Sequence, residues 1–160
     1  MSTTFAEQQQ TAVQNFEFKK SELIDAPIDI VFQAILDELG PESQMPDGKP
    51  MVLKLEPWPG GRLYRDLGNN TGHFWAHVQV IKPPALLELC GPMFMSYAAT
   101  NHVQYKLTAE GKGTRLAFLH TSIGLIPQQH RDGMEMGWNY KFTRIREIAA
   151  KKIGGKAGGR

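Results

Sequence analysis

Apolar residues recur along this chain in two rhythms, and the change from one to the other marks its elements. In NFEFKKSELI (15–24), Phe16, Phe18 and Ile24 share one parity, which predicts a β-strand. In the DAPIDIVFQAILDEL that follows, the step lengthens to three and four, and Ile28, Val31, Phe32, Ile35 and Leu39 form one stripe. That spacing predicts a helix, with Pro27 at its first position, Asp29 at its positive end and Gly40-Pro41 closing it. PESQMPDGKP reads as a loop with room for one short helical turn.

From Met51 to Ser122 the period returns to two. MVLKLE, RLYRDLG, HFWAHVQVI, ALLELC, NHVQYKLTAE and TRLAFLHTS read as six successive strands, separated by PWPGG, GNNTG, KPP, the Met-rich GPMFMSYAAT and EGKG. Alternation places Phe74, Ala76, Val78 and Val80 on one face of their strand, with His73, Trp75, His77 and Gln79 on the other. It also sets Val103, Tyr105 and Leu107 opposite His102, Gln104 and Lys106, and Leu116, Phe118 and His120 opposite Arg115, Ala117 and Leu119. The last rhythm is helical again. Met134, Trp138, Phe142, Ile145, Ala149 and Ile153 predict about seven turns from Gln128 to Ile153, stopped by Gly154-Gly155. Hairpin-linked strands form an antiparallel sheet, and a helix with so long a stripe must bury it on that sheet. The expected class is α+β: a curved sheet of six to seven strands around a long C-terminal helix, in one domain over 15–153. A polar leader (1–14) and a basic glycine-rich tail (154–160) flank it.

Composition narrows the function classes. The 160 residues are 41% hydrophobic and 21% charged, the balance of a globular protein. The formal charge of +2 is a property of one end: KKIGGKAGGR holds Lys151, Lys152, Lys156 and Arg160 and no acid, and residues 1–150 carry 14 basic and 16 acidic groups. A basic face for nucleic acid is therefore not expected. One cysteine, Cys90, makes neither an internal disulfide nor a cysteine-based zinc site. The first fifteen residues lack a basic start and an apolar run, and no window is long and apolar enough to span a bilayer. A cytoplasmic protein without membrane insertion is the expectation.

Five short pieces in fixed order resemble a family: IDAPIDIVFQAI, PGGRLYRDLG, VQVIKPPALLEL, GTRLAFLH and the Gly137-Trp138 pair. Together with the element order they are similar to the Bet v 1-like helix-grip fold, the START or SRPBCC superfamily. Within it the resemblance is to the bacterial branch named after the C-terminal domain of the activator of Hsp90 ATPase, over residues 15 to about 150. The resemblance implies a cavity between sheet and long helix that holds a hydrophobic or amphipathic small molecule. It implies no reaction and no cofactor, because fold does not fix function.

Given such a cavity, the candidate chemistry follows from strand parity. His120 points inward beside Leu116 and Phe118, either to orient a ligand or as a buried, hydrogen-bonded histidine. His130, in the first turn of the terminal helix, is expected to be exposed. Two histidines across a loop are too few for a metal site, and neither HExxH nor CxxC occurs. As an acid–base pair, His120 and Tyr105 on neighbouring strands are the best the sequence offers. Arg65 and Asp66 fall on opposite strand faces, so only one can look into the cavity, and Arg65 or Asp66 is expected in an ion pair with a neighbouring strand. Met93, Met95, Met134 and Met136 suit a permissive apolar mouth. Gly133 and Gly137 share a helix face, and each costs about 1 kcal/mol against alanine there. Either a strand approaches closely or room is left for a ligand. The expected ligand-binding residues are Phe74, Val78, Tyr105, Phe118, His120, Met134, Trp138 and Phe142. A cyclase- or hydrolase-like enzyme using His120 and Tyr105 is the first alternative. A protein-interaction or co-chaperone-like module with Trp58, Trp75 and Tyr64 on the convex side is the second, and a homodimer is left open.

Overall fold

The computed structural model describes residues 12–157. It comprises β1 (Gln14–Ile24), α1 (Ile28–Glu38), β2 (Lys54–Leu55), β3 (Arg62–Gly68), β4 (Thr71–Lys82), β5 (Leu86–Gly91), β6 (Ala99–Glu110), β7 (Gly113–Gly124) and α2 (Gln128–Ala157). The strands make one antiparallel sheet in the order β1-β7-β6-β5-β4-β3-β2, so the first strand lies beside the last. Successive neighbours from β2 to β7 are a meander, as hairpin-linked strands require, and α2 crosses the curved face in a helix-grip arrangement.

Burial follows the alternation where the strands are regular. Val103, Tyr105 and Leu107 of β6 and Leu116, Phe118 and His120 of β7 are all buried, and each faces its partner across the ladder, as Tyr105 does Phe118. Met134, Trp138, Phe142, Ile145, Ile148 and Ala149 of α2 bury against them. Burying a large aliphatic or aromatic side chain is worth about 1.5–3 kcal/mol, so this seam supplies much of what fixes the helix. Lys20 of β1 donates to Asn139 at 2.8 Å, Arg131 donates to Gln14 at 3.1 Å, and Arg146 pairs with Glu22; together they pin α2 along the edge strand. The Thr114 hydroxyl donates to the Ala26 carbonyl at 2.7 Å and ties β7 to the start of α1.

Three expectations are corrected. Of MVLKLE, only Lys54 and Leu55 pair with β3. The backbone before them is already engaged, since the Met51 amide donates to Ser43 and the Leu53 amide to Gly40. The second correction concerns β4. Leu63 faces Ala76 but Tyr64 faces Phe74, so Trp75 is an extra residue in a β-bulge. A bulge sets two adjacent side chains on one side of the strand. Trp75 therefore turns inward with Ala76, at 6% exposure, and Phe74 turns outward at 42%. A second shift at Gln79 leaves Val80 half-buried. The third is the end of α2, which runs through Gly154 and Gly155 to Ala157. Its last turns are held where Lys152 meets Asp37 at 2.6 Å, beside the end of α1. Residues 1–11 of the expected leader and 158–160 of the expected tail lie outside the described residues. No described helix is long and apolar enough to cross a membrane.

Candidate functional site

The curve of the sheet is not filled evenly. Between the first half of α2, the turn after α1, the bulge of β4 and the start of the β5–β6 connection lies a cavity of about 390 Å³. Its wall is soft and aromatic: Met45, Met51, Met93 and Met134 alternate with Trp75, Phe94, Trp138 and Tyr140. The bulge creates part of it by carrying Trp75 inward. The β5–β6 connection closes over that bulge, and the Met93 amide donates to the Trp75 carbonyl at 2.6 Å. A Cβ at Gly91 would stand 2.6 Å from the same carbonyl oxygen, so only glycine permits the approach.

Gly133 and Gly137 also line the cavity, and a Cβ at either would meet nothing within 4 Å. Of the two reasons a helix tolerates such glycines, close packing is thus removed. They leave space. For scale, an apolar cavity of about 150 Å³ holds one benzene.

The expected ligand-binding residues divide into three groups. Met134 and Trp138 line the cavity. Val78, Tyr105, Phe118, His120 and Phe142 are buried behind it and do not reach it. The Phe118 ring lies 4.5 Å from that of Trp138, 5.0 Å from Tyr105 and 5.4 Å from Phe142, so a packed aromatic cluster occupies the inner part of the grip. Phe74 is the third group. It stands on the outer face, against His77, because of the bulge.

His120 is held on both ring nitrogens. Trp138 donates its indole N–H to Nδ1 at 2.9 Å, so the ring hydrogen sits on Nε2, which donates to the Asn101 side-chain oxygen at 2.7 Å. Asn101 in turn donates to the carbonyls of Gly91 and Pro92, both at 3.1 Å. The chain of bonds spans α2, β7, β6 and the β5–β6 connection, and it fixes two walls of the cavity, Trp138 and the segment carrying Met93. Burial, with a small contribution from His130, pushes the pKa of His120 down to about 4, so the imidazole stays neutral. Tyr105 shares its face of the sheet, but its hydroxyl is buried without a hydrogen-bond partner, and burial keeps it protonated well above the usual phenol range. Neither group meets the cavity, which removes the geometric basis for an acid–base pair. His130 is corrected as well. It is half-buried on the cavity wall, stacked on Phe94 at 5.1 Å and edge-on to Tyr97 at 5.6 Å. Asp66 pairs with Lys54 of β2 at 2.8 Å, as a neighbouring-strand ion pair. Among the described residues no three His, Cys, Asp or Glu side chains converge on a metal-sized site.

Sequence reasoning missed the polar end of this cavity. Lys141, one turn beyond Gly137 on the same helix face, donates to Glu38 at 2.6 Å and to the Ser43 hydroxyl at 3.3 Å. Glu38 is 1% exposed and its second oxygen has no partner. Burial outweighs the attraction of Lys141 and pushes the carboxyl up to about 7. The available signal was an acid three residues after Ile35, on the apolar stripe of α1.

With this geometry in view, the comparisons with known proteins are consistent with one another. The family model described as activator of Hsp90 ATPase homolog 1-like protein matches residues 25–150. No curated protein matches the sequence. An uncharacterised protein from Rhizobium leguminosarum superposes with a TM-score of 0.68 at 16% identity, over 88% of this chain and 97% of its own. Ara h 8.0201 does so with a TM-score of 0.61 at 12% identity, over 86% and 99%. The di-domain ARO/CYC StfQ from the steffimycin biosynthetic pathway gives 0.61 at 11%, over 88% of this chain and 52% of that one. At these identities the likeness is one of fold.

Proposed function

The chain belongs to the family of activator of Hsp90 ATPase homolog 1-like proteins, and from that premise we propose that it binds a small hydrophobic or amphipathic molecule in the cavity beside α2. The observation that carries this reading is the pair Gly133 and Gly137. Two glycines in a helix cost about 2 kcal/mol against alanine, and here nothing packs into the space they leave. What they do provide is volume on an apolar wall rich in methionine, a side chain that adapts to varied shapes. The reading with His120 and Tyr105 as catalysts has no support in the geometry, since both lie behind the cavity wall. The interaction reading loses its convex tryptophan cluster, because Trp75 faces inward.

The test is a fluorescence titration with N-phenyl-1-naphthylamine, an uncharged two-aryl probe, alongside native mass spectrometry of the purified protein. Saturable one-to-one binding, weakened at least about tenfold by Gly137→Leu in a variant that unfolds no earlier than wild type, is the expected result. A probe that does not bind, or binds equally well to the filled variant, would sink the proposal.

A further inference from the structure

Among the described residues that line the cavity, Lys141 is the one lysine, arginine or carboxylate, and burial holds His130 below the usual histidine range. The Lys141 side chain lines the apolar space and its ammonium donates to Glu38 at 2.6 Å. Glu38 is a poor permanent partner. It is buried, only one of its two oxygens is bonded, and a carboxylate with an idle buried oxygen forgoes hydrogen bonds that water would supply. The other groups around it are Arg144 on α2, whose charge favours the carboxylate, the Ser43 hydroxyl, which bonds Lys141, and the Tyr105 phenol on β6, which does not ionise at neutral pH.

Resting on the reading of the cavity as a binding site, we propose that Lys141 and Glu38 make it selective for apolar molecules carrying an acidic group. The ligand's oxyanion replaces Glu38 as the partner of Lys141, and Glu38 takes up one proton from solvent. Charge balances in both states. Above about pH 7 the empty site holds one ammonium and one carboxylate, and the filled site holds the same ammonium, the ligand's anion and a neutral carboxylic acid; below about pH 7 Glu38 is already neutral and no proton need be taken up. A protonated Glu38 is the cheaper form to bury once its counter-charge is engaged elsewhere. An uncharged ligand leaves the pair intact and takes up no proton.

The experiment compares 1-anilinonaphthalene-8-sulfonate with N-phenyl-1-naphthylamine, which share the two-aryl skeleton and differ by the sulfonate. Wild-type protein should bind the sulfonate about tenfold more tightly at pH 6. That advantage should fall by close to tenfold per pH unit above about pH 7, where Glu38 must be protonated to release Lys141. Calorimetry at pH 8 in phosphate and in Tris should show uptake approaching one proton with the sulfonate and none with the neutral probe. Glu38→Gln should abolish both the uptake and the loss above pH 7, and Lys141→Met should erase the preference for the sulfonate. If wild-type protein binds the neutral probe but shows no preference for the sulfonate, or binds the sulfonate without proton uptake, this inference is overturned and the cavity reading stands. If neither probe binds, the cavity reading falls and takes the inference with it.

Discussion

Glu38→Gln gives the most direct view of how burial and charge compete in this fold. The wild-type carboxyl is 1% exposed and is pushed from its ordinary 4.5 to about 7. Because the folded-state pKa is raised, the folded protein holds more protons than the unfolded chain between those values. Stability credited to the neutral acid is fully present below pH 4.5 and is lost as pH rises to 7. At about 1.4 kcal/mol per pH unit, that interval amounts to about 3 kcal/mol. Glutamine keeps the shape and cannot titrate. The difference in unfolding free energy between variant and wild type should therefore climb by about 3 kcal/mol in the variant's favour from pH 4.5 to 7, and be flat outside that window. Urea unfolding followed by circular dichroism at half-unit pH steps measures it, with an unchanged m-value as the control for two-state behaviour. His120 tilts the other way. Its pKa falls from 6.5 to about 4 on folding, so its contribution is present above pH 6.5 and lost as pH drops to 4. In wild type the two groups oppose each other between pH 4.5 and 6.5; in Glu38→Gln the acid sensitivity of His120 is uncovered. A flat difference curve, or one of opposite slope, would refute the argument, because it would mean that Lys141 holds Glu38 ionised in spite of burial.

Other outcomes follow from single contacts. Gly133→Ala and Gly137→Ala each add a methyl group to open space and should stabilise by about 1 kcal/mol, raising the melting temperature by about 2–4 °C apiece; a fall would show that the helix face is packed. Trp75→Ala should cost about 3–5 kcal/mol by chemical denaturation, and Phe74→Ser less than about 0.5 kcal/mol, the order that the bulge dictates and strand alternation reverses. Trp138→Phe leaves Nδ1 of the buried His120 without its donor. It should cost about 1–3 kcal/mol in unfolding free energy, and a near-neutral result would show that the network holds nothing in place.

The fold was legible where local signals agree with tertiary demand. In the middle of β6 and β7 the inward positions are apolar and the register is unbroken, so parity named Val103, Tyr105, Leu107, Leu116 and Phe118 as buried. The stripe of α2 did the same for Trp138 and Phe142. Parity failed on β4 because it counts residues and a bulge inserts one. Nothing in HFWAHVQVI marks Trp75 as the extra residue; the bulge becomes visible only with the β3 partners. Gly154-Gly155 misled for another reason. Glycine weakens a helix without forbidding it, and the pull that settles the matter, Lys152 on Asp37, joins residues far apart in sequence.

The cavity was harder to read because it is defined by what is missing. Inward-facing aromatic residues were expected to line it, but large side chains placed together on a concave face fill that face, as Phe118, Tyr105 and Phe142 do. Space remains where the chain places glycines against an irregular, methionine-rich connection, so Gly133, Gly137 and Met93 were better guides than His120. His120 illustrates the difference. A polar residue on a buried strand face signals that some hydrogen bond must be satisfied there, but not by what. Here Asn101, on the buried parity of β6, and Trp138 meet the need from within the protein. Glu38 is the opposite case, since one of its oxygens is left idle while the other bonds Lys141, a residue of the cavity wall. A polar group that the fold satisfies positions the site, and one that the fold leaves partly unsatisfied is where an incoming molecule can be recognised.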